Sequence, residues 1–444
     1  MISLEDKIAE GTVHVAVIGL GYVGLPLATA FAKAGFRVTG IDVDAEKVNT
    51  LTAGESYIPD VPREELAPHV ESGRLTATLA YDALSEADAM FICVPTPYDV
   101  QRAPDLSFIR SASEAIQARL KPGQLVVLQS TTYPGTTEEV VLPILEESGL
   151  TAGEDFYLAF SPERIDPGNT QWTAYNTPKV VGGLTPRCRD LAVDLLRKMG
   201  ALVHPVSSPR AAELSKLLEN TFRAVNIALV NELALLTERM GIDFWEVIDA
   251  AETKPFGFMP FYPGPGVGGH CIPVDPYYLF WKAREYDFYT KFIELAAEVN
   301  EAMPYHVVEL VTEGLSQEGL PLKGAQVLVL GVAFKPDVDD PRNSPAKRVI
   351  ELLLGRSAVV TYHDPYVPRF CVGNDVFHPE GLELASVPLT DEALADADCV
   401  VIVTGHRSLD YERVVGQAAR VIDTCNVTAG VGGDKDNVLR LGAG

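Results

Sequence analysis

The sequence predicts an α/β protein: two doubly wound domains joined by a long central helix. Three patterns carry this. Short apolar, β-branched runs alternate with helical stretches through residues 13–206. The same alternation returns after Gly324. Between them, apolar residues recur at helical spacing from Ala211 to Met240 without a proline, a rod of roughly 45 Å if continuous. The expected division is a first α/β domain over 1–206, a central helical segment over 207–320 and a second α/β domain over 321–444.

Bulk properties narrow the function. The 444 residues carry a formal net charge of -25, from 36 basic and 61 acidic side chains. That balance excludes a basic field for nucleic acid or anionic membranes, while leaving room for a local basic pocket. The first residues, MISLEDKIAEGT, are acidic and lack the apolar core of a secretory signal. No apolar run reaches the length of a membrane span. The six cysteines are scattered with no CxxC pair, which suits reduced cytosolic thiols and predicts no metal site. A cytoplasmic protein is expected.

In chain order, residues 13–18 read as a buried strand that enters Gly19-Leu-Gly21-Tyr-Val-Gly24. Residues 25–34 read as a helix that Gly35 ends, and 36–41 as a strand closed by Asp42. Strand, GxGxxG, helix, strand and acid together make a dinucleotide fingerprint of the Rossmann kind. Gly19 makes the turn, Gly21 admits the pyrophosphate, and Gly24 packs helix on strand. Asp42 would bind a ribose hydroxyl and repel a 2′-phosphate, so NAD is favoured over NADP. The bland alternative is a glycine turn that has lost its cofactor.

Strand 89–94 ends at Pro95-Thr96-Pro97, strand 125–128 at Gln129-Ser130-Thr131-Thr132, and strand 157–160 at Ser161-Pro162-Glu163-Arg164. Ligands bind at such carboxyl ends in open parallel sheets, which makes Thr96, Thr131 and Glu163 candidates. Turn or helix-cap chemistry is the competing explanation for each. Residues 180–183 and 201–206 read as closing strands.

The helical stretch 211–240 is apolar on more than one face, so both domains or a second subunit should cover it. Lys216 and Asn220 lie one turn apart on it, and a buried lysine beside an amide can hold an oxyanion. Glu213 and Glu219 nearby favour the opposite reading, a solvated face.

Residues 263–276, PGPGVGGHCIPVDP, are too rich in glycine and proline for regular structure and should form a tight loop. It presents one thiol, Cys271, with Asp275 four residues on. A thiol in a ligand-accessible polar loop is a candidate nucleophile; a small buried cysteine in a turn is the alternative. Residues 291–303 read as a helix.

The second α/β unit opens with strand 324–330 and Gly331, then Phe334-Lys335-Pro336-Asp337-Val-Asp339-Asp340-Pro341-Arg342-Asn343-Ser344. Ser344 should cap a helix starting at Pro345. Strand 359–362 ends at His363-Asp364, strand 399–403 at Thr404-Gly405-His406-Arg407, and strand 421–422 at Asp423-Thr424-Cys425-Asn426. Without GxGxxG, but with Lys335 and Arg342 at a strand edge, this domain suits a nucleotide other than a dinucleotide. The halves read as a distant fold repeat.

A dinucleotide site plus a thiol points to a particular chemistry. Simple alcohol oxidation needs only a hydride acceptor and a base. A thiol is useful when an aldehyde must go on to the acid: thiohemiacetal, second oxidation to a thioester, hydrolysis. The sum is a four-electron oxidation of CH₂OH to COO⁻.

GLGYVGLPLA at 19–28, FICVPTP at 91–97, PDLSFI at 104–109, SPERIDPGN at 161–169, the Lys216/Asn220 helix, PGPGVGGHCIPVDPYYL at 263–279 and GVAFKPDVDDPRNSP at 331–345 resemble, in order, the nucleotide-sugar 6-dehydrogenases. That resemblance implies two Rossmann-like domains, the second binding UDP, around a central helix that also builds a homodimer or higher oligomer. It implies Cys271 as nucleophile, Lys216 and Asn220 at the oxyanion, Asp275 and Thr131 on the first-step water, and Glu163 as hydrolytic base. Gly19, Gly21, Gly24, Asp42, Lys47, Thr96 and Thr131 would hold NAD. Glu163, Arg164, Lys216, Asn220, Gly268, Lys335 and Arg342 would hold the UDP-sugar.

The implied reaction is oxidation at C6 of a UDP-N-acetylhexosamine to the uronic acid, for polysaccharide biosynthesis. The run Pro162-Glu-Arg-Ile-Asp-Pro167 and GGHCIPVDP look most like the UDP-N-acetylglucosamine branch. UDP-glucose and UDP-N-acetylmannosamine dehydrogenases are the alternatives. A thiol-independent β-hydroxyacid dehydrogenase and a non-catalytic nucleotide-sugar sensor are more distant ones. Two departures stand out. The second glutamate of the UDP-glucose enzymes' PEFLxE run is absent, and Cys425 replaces an expected arginine beside Asp423 and Asn426.

Overall fold

A computed structural model describes residues 2–99, 102–165, 169, 171–173, 175–373, 380–433 and 435–444. Residues 166–168 of the SPERIDPGN run, including Asp166 and Pro167, lie outside the described residues.

Alternation along short strands builds the first sheet. Its strands are β1 (His14–Ile18), β2 (Arg37–Ile41), β3 (Leu75–Thr78), β4 (Ala89–Ile92), β5 (Leu125–Leu128), β6 (Tyr157–Phe160), β7 (Lys179–Gly183) and β8 (Val203–Val206). Val15, Val17, Phe91 and Val127 point into one apolar core, while Ala16, Ile18, Met90 and Val126 point into another. Both faces are therefore covered, as a parallel sheet requires. The strand order is β3-β2-β1-β4-β5-β6-β7-β8. The order reverses between β1 and β4, which is where a doubly wound sheet opens a ligand crevice.

Two features of this sheet differ from expectation. β3 was not anticipated, because LTAT is short and half polar; its pairing with β2 makes it a strand. β7 closes the sheet but runs antiparallel to β6 (Ala159 opposite Gly183, Phe160 opposite Gly182). No local pattern encodes that direction.

The second sheet comprises β9 (Gln326–Leu330), β10 (Val359–His363), β13 (Cys399–Ile402), β14 (Val421–Asp423) and β15 (Val438–Arg440), with a separate antiparallel hairpin of β11 (Arg369–Val372) and β12 (Leu382–Ala385). The five-stranded order is β10-β9-β13-β14-β15, all parallel. Leaving out the hairpin, this is the 2-1-3-4-5 doubly wound order. Val327 and Val329 face one core, Leu328 and Leu330 the other.

The helix Pro209–Met240 is continuous over 32 residues. Proline fits its first position, where no intrahelical donor is needed. The helix expected over 291–303 extends over Lys291–Gln317, through Pro304. Met303, Val307, Val308, Val311 and Leu315 are all buried, and that apolar stripe outweighs one lost backbone bond. The loop expected over 263–276 stops early: Cys271–Ala283 is a helix. Pro273 falls in its first turn, where proline is tolerated, and glycines confine the irregular backbone to the residues before it. Ser344 Oγ accepts from Ala346 N at 3.2 Å and caps the helix Pro345–Gly355, as expected.

The chain forms two compact units. One is Met1–Glu219 with Trp281–Tyr286, the other Asn220–Phe280 with Asp287–Gly444. Among the described residues, no helix is long and apolar enough to cross a membrane.

Candidate active site

In the first unit, the glycine turn after β1 is held by its surroundings. Gly19 has φ +90°, and a Cβ there would stand 2.5 Å from the Cys93 carbonyl oxygen. A Cβ on Gly24 would stand 1.8 Å from the Gly19 carbonyl oxygen. A Cβ on Gly21 would meet no protein atom within 4 Å. Packing within the protein thus demands Gly19 and Gly24, whereas Gly21 leaves open space over the turn. That space fits the close approach of a pyrophosphate to backbone.

Asp42, at the end of β2, accepts from Leu20 N (2.7 Å) and Asp44 N (3.0 Å), with Lys47 Nζ 3.8 Å from the same carboxylate. Its first task is to fasten the turn; lone pairs remain for a ribose hydroxyl. Thr96 Oγ1 donates to the Thr131 carbonyl at 2.8 Å, tying the loops after β4 and β5 together.

Glu163, just past β6, is buried at 7% exposure. Its Oε2 accepts from Gln129 Nε2 (2.9 Å) and lies 3.2 Å from Lys179 Nζ. Its Oε1 accepts from Arg164 N (2.8 Å) and Ile165 N (3.1 Å). Because β7 is antiparallel, its first residue, Lys179, comes to the sheet edge where β6 ends. Burial and the Glu163 charge push the nearby Cys93 thiol up, so it stays protonated. Arg164 is engaged with Glu219 (2.6 Å) and the Pro178 carbonyl (2.7 Å).

Glu213 overturns the solvated-face reading of its helix. It is 1% exposed and accepts from Gly135 N (2.5 Å), Thr137 N (2.9 Å) and Thr137 Oγ1 (2.6 Å). Burial drives its pKa up, and these bonds only partly oppose that. It pins the segment that follows Thr131. Lys216, one turn on, is 7% exposed and has no hydrogen-bond or ion-pair partner among the described residues.

In the second unit, Cys271 is exposed and is the first residue of its helix. The partial positive charge of a helix amino terminus favours an anionic sulfur. Asn220 Nδ2 donates to Asp275 Oδ2 at 2.5 Å. The glycine loop before Cys271 is tethered at both ends. Gly264 N donates to Asn231 Oδ1 (3.0 Å), Asn231 Nδ2 to Asn300 Oδ1 (2.9 Å), and Asn300 Nδ2 to the Ala224 carbonyl (3.1 Å). Gly269 N donates to the Arg342 carbonyl (3.0 Å), and Asn343 Nδ2 returns a bond to the Gly269 carbonyl (3.0 Å). A Cβ on Gly268 would lie 2.9 Å from Phe334 Cβ and 3.0 Å from the Asn343 carbonyl oxygen. The thiol loop and the loop bearing Lys335 and Arg342 are therefore packed on each other.

Arg342 grips Asp340 through Nε (2.9 Å) and Nη2 (2.6 Å), while Lys335 Nζ lies 5.9 Å from the Phe334 ring. Burial first, then the Arg342 charge, hold His270 below the ordinary imidazole range, with Asp340 opposing. His270 is thus neutral at pH 7 and gives the adjacent thiol no positive charge. Cys425 Sγ points to the Val403 carbonyl at 3.2 Å, with its thiol pushed up to about 12 by burial and then Asp423.

Comparison with known proteins decides the family. Residues 13–200 match the NAD binding domain of the UDP-glucose/GDP-mannose dehydrogenase family, 210–302 its central domain and 328–430 its UDP binding domain. The chain belongs to this family. The dehydrogenase is 39% identical over 376 residues to a UDP-N-acetyl-D-glucosamine 6-dehydrogenase of Pseudomonas aeruginosa, covering 84% of this chain and 87% of that one. It is 35% identical over 425 residues to an NDP-N-acetyl-D-galactosaminuronic acid dehydrogenase of Ralstonia solanacearum (92% and 95% covered). The solved structure of a UDP-D-ManNAc dehydrogenase from Pyrococcus horikoshii superposes with a TM-score of 0.86 at 33% identity, covering 97% and 99%. The dehydrogenase uses NAD and acts on UDP-sugars.

Several residues of the dehydrogenase escaped the sequence reading. Lys179 opens β7, one residue before the strand expected over 180–183, at the end of a strand where ligand residues are not sought. Gln129 stood in a highlighted strand end but carried no assigned role. Asn231, Asn300 and Asn343 act through backbone contacts between segments distant in sequence, which no local pattern announces.

Proposed function

We propose that this dehydrogenase oxidises the C6 hydroxymethyl of a UDP-N-acetylhexosamine, UDP-N-acetylglucosamine first among them, to the uronic acid. The observation that carries the reading is Lys216, buried one turn before Asn220 and without a hydrogen-bond or ion-pair partner among the described residues. An unpaired buried ammonium is costly unless an anion arrives to meet it. Gly19, Gly21, Gly24 and Asp42 would hold NAD, which when bound would supply the hydride acceptor for both oxidations. Asp275 and Thr131 hold the water that takes the first proton. Cys271 adds to the aldehyde carbon, and Lys216 and Asn220 receive the developing oxyanion. Glu163 takes the proton of the hydrolytic water. Arg164, Gly268, Lys335 and Arg342 grip the nucleotide-sugar, with Lys47 and Thr96 beside the coenzyme. The division into a coenzyme domain (1–206), a helical segment with the thiol loop (207–320) and a UDP domain (321–444) follows these roles.

The sugar is chosen on the Pseudomonas relative and on the PERIDPG run; the Ralstonia and Pyrococcus relatives make the C2 and C4 epimers the natural competitors. Turnover over a panel of UDP-N-acetylglucosamine, UDP-N-acetylmannosamine, UDP-N-acetylgalactosamine and UDP-glucose tests this. The expected result is preference for the first, with two NADH per sugar. One NADH per sugar, or undiminished acid formation by Cys271→Ser, would sink the thiol mechanism.

The working form is proposed to be a homodimer. Phe222, Leu229 and Leu236 are exposed and spaced seven apart on one helix stripe, with Phe256, Phe258, Met259, Phe292 and Leu295 also exposed in that unit. A soluble protein of charge -25 rarely leaves so many large apolar side chains wet. A seven-residue repeat suits the same helix of a second copy.

A further inference from the structure

The sheet edge around Glu163 holds a charge for which the reaction scheme above has no use. Lys179 is 2% exposed, and its ammonium faces the Glu163 carboxylate at 3.2 Å. Sinking two ions into a protein costs several kcal/mol each, and an apolar pair of similar volume commonly serves stability as well or better. A wholly buried lysine at a strand terminus, aimed at a candidate catalytic base, thus points to a task other than holding the fold.

We propose that Lys179 is the positioning residue of Glu163: it holds the carboxylate in the orientation in which it accepts a proton during hydrolysis of the acyl-enzyme. The proposal rests on the reading above that Glu163 is the hydrolytic base. In that step a water oxygen adds to the thioester carbonyl carbon while its proton passes to a Glu163 oxygen. The C–S bond then breaks, sulfur leaves as thiolate, and the sugar acid is released. Glu163 returns the proton to solvent, and no electrons are transferred.

The hydrogen bonds explain why a lysine is needed. Glu163 already receives Gln129 Nε2, Lys179 Nζ, Arg164 N and Ile165 N. A carboxylate has about four lone-pair sites, so the incoming water must replace one donor. The two backbone donors are fixed, and Lys179 is held by charge. The neutral Gln129 side chain is the one that can swing away. With Lys179 in place, Glu163 keeps its orientation through that exchange. Without it, Gln129 is the only side chain holding Oε2, and that oxygen loses its orientation when Gln129 swings away.

Among the described residues, the groups facing this carboxylate are Gln129 from the end of β5, Lys179 from the start of β7, the Arg164 and Ile165 amides, and the protonated Cys93 thiol beyond β4. Lys179 is the one cation among them.

The test is a rapid-quench turnover with NAD and the preferred UDP-sugar of the panel, reading NADH and the mass of the Cys271 adduct. Glu163→Gln should complete both oxidations once and then accumulate the acyl adduct. Lys179→Met should do the same, with hydrolysis slowed about 100-fold, the scale of a lost general base. Lys179→Arg, which keeps the charge, should recover most of the hydrolysis rate. Glu163→Gln/Lys179→Met should hydrolyse no slower than Glu163→Gln alone, because a residue that acts through Glu163 has nothing left to act on. It also leaves no charge unpaired, so it decides the matter if Lys179→Met does not fold. The proposal is overturned if Lys179→Met hydrolyses at the wild-type rate, if it slows the first oxidation equally, or if the double variant is slower than Glu163→Gln. If Glu163→Gln builds up no adduct, the assignment of Glu163 as base falls, and this inference falls with it.

Discussion

Cys271 and Cys371 are the exposed cysteines; Cys93, Cys188 and Cys399 are buried and Cys425 is half-buried. Burial pushes the Cys399 thiol up to about 12, as it does that of Cys425, so neither yields thiolate near neutral pH. Iodoacetamide should therefore label Cys271 and Cys371, and only labelling of Cys271 should stop turnover. Cys371→Ser should keep activity within about twofold, as expected of a surface change, and remain fully sensitive to the reagent. Peptide mapping against residual activity checks this; loss of sensitivity in that variant would exclude Cys271 as the reactive thiol. The four-residue spacings from Cys271 to Asp275 and from Lys216 to Asn220, and the glycine run before the thiol, were legible in the sequence, because they are local properties. The Asn220–Asp275 bond and the lack of a partner for Lys216 among the described residues were not, since both depend on which side chains the fold brings near.

At the scale of elements, each unit solves the same problem in the same way. After β1, Gly19 at φ +90° lies against the Cys93 carbonyl, and Asp42 past β2 holds Leu20 N. After β9, Gly331 at φ +80° lies against the Thr404 carbonyl, and Asp364 past β10 holds Val332 N (2.7 Å) and Ala333 N (3.0 Å). His406 Nε2 donates to Asp364 at 3.0 Å, and its Nδ1 accepts from Asp337 N at 3.0 Å, which draws the Lys335 loop into the same cluster. The sequence showed strand, glycine and acid in both halves. That the acid fastens the turn emerges only when strands lie side by side.

Two predictions belong to these elements. Gly24→Ala forces a Cβ against the Gly19 carbonyl and should cost about 1–3 kcal/mol of stability, the range for overpacking. Gly21→Ala meets no protein atom, so it should melt like wild type while weakening NAD about tenfold, or about 1.4 kcal/mol. Thermal melting and NAD titration separate the two, and equal melting losses would refute the distinction. The other concerns His14 in β1, whose ring faces Thr39 (2.9 Å) and the Glu86 carbonyl (3.1 Å). Burial first, then Arg37, hold its pKa below 6.5. The unfolded chain therefore binds more protons than the folded one below that value. The neutral ring's contribution is complete above pH 6.5 and is lost as pH falls toward the folded pKa. Denaturant titrations should show that slope, and His14→Gln should flatten it.

For the whole molecule, assembly is the outstanding question. Leu229→Asp places a charge on the exposed stripe. Sedimentation should then show a monomer that melts earlier than wild type; an unchanged dimer would place the interface elsewhere. Similarity to relatives runs through all the family's domains, so the coenzyme, the substrate class and the fold are settled together.

By itself the sequence determined the two doubly wound sheets, the long helix, and the glycine turn after β1. Each is written in spacing between near neighbours, where hydrophobic period, glycine placement and helical pitch act directly. Tertiary structure decided the reversed direction of β7, the burial of Glu213, and the meeting of Lys179 with Glu163. Those depend on strand pairing and on how burial changes the energy of a charge, and both are set by residues far apart along the chain.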